Sequence, residues 1–208
     1  MRRRNLRRTH RAALTLLGVT AIAIGLMTPG ISVAWARSLS IFVEEIDHIP
    51  KLRAAYPVPN EPNMLFYVQR SVNANTVVYV SRFDPRHRLD RDAPVDVYWR
   101  LYNIDGHRRP LNLIERLLAY GVTSVAALPS QNAIGFRIAA IPEFDLLLEQ
   151  DRDGRPQAMI RFGNRLVRLV YVYLQVDDRG MMPRVTALDL FGTDKITGKP
   201  LHEHVIPD

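Results

Sequence analysis

The chain has 208 residues, a formal net charge of +7 and no cysteine, and 47% of its residues are hydrophobic. A chain without cysteine cannot use disulfides, and thiolate metal sites, iron–sulfur clusters and thiol catalysis are excluded. Six of the 28 Lys and Arg residues precede residue 37 and none of the 21 Asp and Glu residues does, which leaves 22 basic against 21 acidic residues in the remainder. This balance gives no support for a basic binding face, so no nucleic-acid partner is expected.

The first 36 residues have the three parts of a secretory signal peptide. A basic head precedes an apolar run of 16 residues, Ala12–Met27, and a small-residue exit ends at Ala36. The run is shorter than the ~20 residues that a membrane-spanning helix needs. We expect a signal peptide over residues 1–36, cleavage after Ala36, localisation in the periplasm or outside the cell, and no transmembrane segment after cleavage. An uncleaved N-terminal anchor is the alternative.

Residues 37–63 are predicted to form an extended lead-in, and residues 64–208 a single β-rich domain. The lead-in contains Pro57, Pro59 and Pro62, which disfavour regular structure. Period-two alternation of apolar and polar residues begins near residue 64 and predicts two strands joined by the short loop SVNAN.

The third strand, within APVDVYWRLY, shows the clearest alternation. Trp99 shares its apolar face with Val95 and Val97, so we expect Trp99 to lie in the core. The segment LNLIERLLAYG then predicts one helix, for which Gly121 is a plausible end.

Further alternating segments bring the prediction to about nine strands, followed by a loop and tail from residue 193. Most connections are shorter than the dozen or so residues that a parallel crossover needs. We therefore expect a mainly β fold. The predicted architecture is an antiparallel β-barrel or two-layer sandwich of about nine strands with one packed α-helix.

Four segments in fixed order resemble a family of secreted bacterial proteins that is known as domain of unknown function 4833. The segments are NMLFYVQRSVNANTVVYVSRFD, PVDVYWRLYNIDG, IERLLAYGV and ALDLFGTD, and the resemblance covers most of residues 63–203. It implies export and a single β-rich domain. It supplies no activity, no cofactor and no catalytic residue.

Polar residues of the first three strands, their loops and the helix form a candidate ligand-binding site. Arginine there would offer a planar fork to a carboxylate or a phosphate. The alternative is a hairpin with a polar outer face, in which Asn serves the turns and the helix glutamate is solvated. The candidate residues are Gln69, Arg70, Asn73, Asn75, Arg100, Tyr102 and Glu115.

Two further motifs were weighed as ion sites. His202 and His204 share one face of an extended chain, but no third ligand is evident from the sequence. The segment DRDG at residues 151–154 resembles the start of a calcium loop without its later ligands, and it is expected to be a hairpin turn. Neither a metal site nor a cofactor is therefore predicted.

The sequence favours a non-catalytic envelope protein that binds a small or lipidic ligand or an envelope protein partner. This interpretation rests on the long strand LVRLVYVYLQV, which is largely apolar on both faces, and on aromatic residues near strand ends. One alternative is a periplasmic hydrolase, in which Arg70, Arg100 and Glu115 would converge in one pocket. The other is a purely structural interaction module. A binding protein predicts a mainly apolar cavity with a few polar groups at its rim.

Overall fold

The computed structural model describes residues 40–128, 133–180 and 183–207. The predicted signal peptide and its cleavage site lie outside these residues. The described residues contain twelve strands and one helix. In chain order these are β1 (Ser40–Glu45), β2 (Met64–Arg70), β3 (Thr76–Ser81), β4 (Val95–Arg100), β5 (Arg108–Pro110), α1 (Leu113–Leu118), β6 (Val122–Leu128), β7 (Ala133–Ile138), β8 (Ile141–Gln150), β9 (Pro156–Phe162), β10 (Arg165–Asp177), β11 (Arg184–Asp194) and β12 (Pro200–Val205).

The strands form one curled, mixed sheet with the shape of a half-barrel. Nine of them follow the order β5-β4-β3-β2-β10-β9-β8-β7-β6, while β11 pairs with β10 and β12, and β12 also pairs with β1. The 13-residue strand β10 organises the sheet, because its first part pairs with β9, its second part with β2, and most of its length with β11.

The mainly β prediction with one helix is confirmed. Three strands add to the expected nine, namely β1 in the lead-in, the short β5, and β12 in the predicted tail. Glu203 obscured the pattern of β12, since it is fully buried at a position where the alternation calls for an apolar residue. Among the named strands, β2 and β10 form the one parallel pair. About a hundred residues separate these two strands. The expectation of antiparallel pairing rested on short connections between strands, so it does not apply to this pair.

The concave face of the half-barrel carries the main core. Phe66, Tyr79, Leu146 and Leu148 are completely or almost completely buried there, and Trp99 is 4% exposed. The core position predicted for Trp99 is confirmed. Its neighbours along β4 turn to the opposite face, as strand alternation requires.

The helix α1 is held at its start by a capping box. The side chain of Asn112 accepts a hydrogen bond from the Glu115 backbone, and the Glu115 side chain accepts one from the Asn112 backbone. None of the six residues of α1 is buried, so the helix that was expected to pack leaves its apolar stripe exposed. In the described part of the chain, no helix is long and apolar enough to cross a membrane.

The lead-in lies across the outer face of the sheet. A second cluster of buried aromatic residues, Tyr67, Tyr171, Tyr173 and Phe191, packs there against Ile46 and Ile49 of the lead-in. Hydrogen bonds fasten the same segment, from the Tyr171 hydroxyl to the carbonyl of Pro50 (2.6 Å) and from Arg53 to the Tyr173 hydroxyl (2.9 Å). Residues 40–63 are therefore joined to the sheet both through β1 and through these contacts.

Candidate functional site

The seven predicted site residues are divided between the two faces of the sheet. The guanidinium of Arg70 lies 4.7 Å from the ring centre of Trp99, on the core side. Arg100 follows Trp99 directly in β4 and turns to the opposite face, where it lies beside Tyr98. Gln69 precedes Arg70 and also turns outward, so the two arginines do not share one pocket.

On the core side, Arg70 and the loop asparagines support one another. The Arg70 guanidinium donates to Asn73 Oδ1 (3.2 Å), and the same oxygen accepts from the backbone of Asn75 (3.1 Å). Asn75 Oδ1 in turn accepts from the backbone of Asn103 (3.1 Å). These contacts hold the β2–β3 loop against the end of β4, which is the turn-building role that short polar side chains often have.

Glu115 is used by the helix start. Besides the capping box, it accepts a hydrogen bond from Arg109 (2.6 Å). Burial raises the pKa of Glu115, but the hydrogen bonds from Arg109 and the Asn112 backbone outweigh it and hold the pKa below its usual value. A carboxylate that stays ionised and is occupied in this way is poorly suited to general acid–base catalysis at neutral pH.

On the outer side, Arg100 pairs with Glu61 and donates to the carbonyl of Gly106 (3.1 Å). Gln69 is buried and donates to the carbonyl of Pro57 (3.1 Å), so it fastens the lead-in to β2. Tyr102 lies against Gly106. Each of these predicted residues thus has a structural partner within the described chain.

An apolar pocket opens beside the helix on the concave face. Its walls come from seven parts of the chain, and the Tyr79 hydroxyl there donates to the carbonyl of Tyr120 (2.9 Å). The pocket has a volume of about 110 Å³. Of the lining residues that the structure describes, Glu143 is the one that carries a charge. The lining residues are Val68, Tyr79, Ala119, Tyr120, Ile138, Ala140, Ile141, Glu143, Val172, Leu174, Val185, Leu188 and Pro207.

Arg70 is a neighbour of this pocket. It follows Val68, a wall residue, by two positions in β2, so both side chains point to the same face. Tyr120 connects the two places, since it lines the pocket and packs edge-on against Trp99 with ring centres 5.1 Å apart. Burial raises the pKa of the Tyr120 hydroxyl, while its hydrogen bond and charge interaction with Arg70 oppose that rise. Of the predicted residues, Arg70 is therefore the one best placed at the rim of an apolar pocket.

A second polar group lies on the outer face, where β11 and β12 pair. Asp189 stands directly opposite His204 in the ladder, and His202 stands two residues further along the same face. Asp189 Oδ1 lies 3.0 Å from His202 Nε2 and 2.7 Å from His204 Nδ1. Burial raises the pKa of Asp189, but the hydrogen bonds from both histidines and from Gln175 lower it to about 2.

Sequence reasoning singled out the two histidines but missed Asp189. The pattern ALDLF marks Asp189 as an outward-facing residue of β11. It does not say which residue of β12 stands opposite, and the segment of β12 was expected to be a tail. The segment at residues 151–154, by contrast, forms the predicted hairpin turn between β8 and β9.

Comparison with known proteins gives one match. Residues 66–204, more than half of the chain, match the family described as "Domain of unknown function (DUF4833)". No curated protein and no solved structure matches the chain.

Proposed function

We propose that this chain, which belongs to the family described as "Domain of unknown function (DUF4833)", is an exported, non-catalytic protein that binds the acyl chain of a lipidic ligand. The observation that carries the proposal is the apolar pocket on the concave face, next to a helix whose apolar residues are exposed. Neither feature alone would identify a ligand, but the exposed apolar residues of α1 directly precede Ala119 and Tyr120, which line the pocket.

The exposed stripe of α1 is large for so short a helix. Leu113, Ile114, Leu117 and Leu118 are each 62–71% exposed. Isolated exposed apolar residues are ordinary on protein surfaces, whereas clustered ones mark binding sites. Ala119 and Tyr120 follow at once and line the pocket. An apolar chain that enters the pocket would therefore leave it across the stripe.

The size of the pocket narrows the ligand class. The pocket volume of about 110 Å³ is small for a ligand site. Pockets that enclose a whole drug-sized ligand measure ~300–1,000 Å³. The pocket thus accommodates the terminal part of one acyl chain and excludes a fused-ring lipid. The rest of the chain lies on the stripe of α1.

Arg70 gives the ligand a polar end. It lies on the same strand face as the pocket wall residue Val68, about 7 Å further along at ~3.4 Å per residue. Its Nε atom is buried and has no hydrogen-bond partner among the described residues. A carboxylate is the natural partner for a guanidinium. We therefore propose a long-chain fatty acid or a lipid with an acidic group near its acyl chain.

The contacts that Glu115 and Arg100 make favour a binding role over the hydrolase alternative. Glu115 is occupied by its cap and by Arg109, and Arg100 is paired with Glu61 on the other face. A catalytic pocket built from Arg70, Arg100 and Glu115 would need them on one side of the sheet. Export is supported by the basic head, apolar run and small-residue exit of residues 1–36.

A displacement titration with a fluorescent long-chain fatty acid tests the proposal. Ala140 is exposed at the pocket wall, in the turn between β7 and β8, so Ala140→Trp fills the pocket without disturbing the core. We expect this variant to weaken binding by more than tenfold. The matched control is Ala127→Trp, the same change at an exposed alanine of β6, which should bind like the wild type. Equal binding by both variants, or no binding by the wild type, contradicts the proposal.

A second arm tests the polar end. Arg70→Gln removes the charge but keeps a polar side chain of moderate length. Charge-assisted hydrogen bonds contribute about 1.5–3 kcal/mol, so affinity for a fatty acid should fall roughly 10- to 100-fold. Affinity for the fatty alcohol of the same chain length should stay unchanged. Equal losses for both ligands would mean that Arg70 supports the fold rather than the ligand.

A further inference from the structure

We propose that Asp189, His202 and His204 bind one divalent first-row transition metal ion, such as Zn²⁺, on the outer face of the sheet. One ligand atom from each residue lies within 4.8 Å of the others. Two imidazoles and one carboxylate form a donor set that such ions accept readily. The inference is independent of the acyl-chain pocket, which lies on the opposite, concave face.

The pairing of β11 with β12 creates the cluster. Asp189 is the ladder partner of His204, and Phe191 is the partner of His202. Side chains at positions i and i+2 of a strand share a face, and cross-strand partners have Cβ atoms ~4.5–5.5 Å apart. Glu203, between the two histidines, turns to the other face and is fully buried. The backbone alone therefore directs both imidazoles toward the carboxylate.

The carboxylate oxygen already lies at nearly the spacing from both histidine nitrogens that a shared ion requires. Asp189 Oδ1 lies 3.0 Å from His202 Nε2 and 2.7 Å from His204 Nδ1. Tetrahedral zinc with bonds of ~2.0–2.1 Å separates its ligand atoms by about 3.3 Å. Each of these two oxygen–nitrogen distances has to change by only a few tenths of an ångström to reach that spacing, and the ion would replace the protons between nitrogen and oxygen.

The other nitrogen of His202 has the partner that a metal-bound imidazole usually has. Its Nδ1 lies 2.9 Å from Glu44 Oε1, and Glu44 is the ladder partner of His202 on β1. A carboxylate that accepts the N–H of a ligating histidine fixes its tautomer and leaves the opposite nitrogen free for the ion. This arrangement assigns Nε2 of His202 to the metal.

Neighbouring side chains hold the ligands in place. Gln175 donates to the second oxygen of Asp189 (3.2 Å), which leaves Oδ1 for the ion. The ring of Phe191 stacks on the His202 ring with centres 4.6 Å apart. The side chains of Asp189 and His202 are 10% and 17% exposed. Ligands held in this way lose little freedom when the ion binds.

The cluster lies between two surface depressions, so an ion has a way in. One depression, of about 490 Å³, is lined by His202, Phe191 and Glu44. The other, of about 740 Å³, is lined by Asp189, Gln175 and Arg53. Three protein ligands leave one position of a tetrahedral ion open to water or to a further ligand. The metal site is therefore accessible rather than enclosed.

Calorimetric titration of the metal-free chain with Zn²⁺ tests the site. We expect one ion per chain for the wild type. His202→Ala, His204→Ala and the isosteric Asp189→Asn should each weaken binding by at least 100-fold. Glu44→Gln, which removes the charge behind His202, should weaken it 10- to 100-fold, as is typical for outer-shell partners. His87→Asn is the matched control, because His87 is exposed in a distant loop and its left-handed backbone suits Asn.

Cobalt provides a second readout, which reports the coordination geometry of the bound ion. Co²⁺ in a tetrahedral His/Asp site should give visible absorption bands in the wild type and in His87→Asn, and these bands should vanish in the three ligand variants. Circular dichroism confirms that each variant is folded. The proposal is overturned if the wild type takes up no Zn²⁺ or Co²⁺, or if folded ligand variants bind as tightly as the wild type, because the ion would then sit elsewhere.

Discussion

Replacing Trp99 by alanine perturbs the point where the core meets the pocket. The Trp99 side chain is 4% exposed, lies under the Arg70 guanidinium, and meets the Tyr120 ring edge-on at an interplanar angle of 80°. Large-to-small changes at buried aromatic sites cost about 3–5 kcal/mol. The stacking of the Arg70 guanidinium on the Trp99 ring contributes roughly 0.5–2 kcal/mol. We therefore expect the free-energy cost of Trp99→Ala to lie in the upper part of that range.

Urea denaturation followed by far-ultraviolet circular dichroism measures the loss. A domain with a total stability of about 5–15 kcal/mol should show a large shift of its unfolding midpoint. Phe42→Ala is a suitable control, because that aromatic ring is 52% exposed on β1, and surface changes usually stay within about 0.5 kcal/mol. A Trp99→Ala midpoint equal to that of the wild type would refute the assignment of the two faces of β4.

Three further predictions concern single positions. Gly192→Ala should destabilise the fold by about 1–3 kcal/mol in thermal unfolding, because a Cβ there would lie 2.3 Å from Val167 and 2.6 Å from the Arg168 carbonyl. The control Gly135→Ala, whose Cβ would meet nothing closer than 3.7 Å, should show no such loss. Equal melting temperatures of the two variants would contradict the packing around Gly192. Asn112→Ala should cost about 1 kcal/mol through loss of the helix cap, and an unchanged denaturation midpoint would show that α1 does not depend on it. N-terminal sequencing of the protein recovered from a periplasmic fraction should give a sequence that begins at Arg37, whereas recovery of the intact chain in the membrane would contradict cleavage after Ala36.

Local patterns predicted the strands that alternate in residue type. In β4 the burial of Trp99 follows directly from that alternation, and the position of α1 follows from its apolar spacing and from Gly121. Only glycine fits at residue 121, just beyond the helix, because a Cβ there would lie 1.9 Å from the Arg116 carbonyl oxygen. The outward orientation of the α1 stripe depends on what the helix meets in three dimensions, and composition does not contain that information.

Local patterns could not predict which distant segments of the chain pair as strands. The parallel contact between β2 and β10 joins segments about a hundred residues apart. The meeting of Asp189 with His202 and His204 depends on the register of two strands, one of which has a buried glutamate in its pattern. For the same reason the predicted polar site was divided, since Arg70 and Arg100 belong to different strands whose relative faces are set by the sheet.

Mass spectrometry of the chain purified from the cell envelope tests the central claim most directly. Native spectra should show a bound lipid with an acyl chain, near one per molecule, in the wild type and in Ala127→Trp. The lipid should be lost in Ala140→Trp, because the indole fills the pocket beside α1. A wild-type spectrum with no bound lipid, or equal lipid in the Ala140→Trp protein, would contradict an acyl-chain site on the concave face.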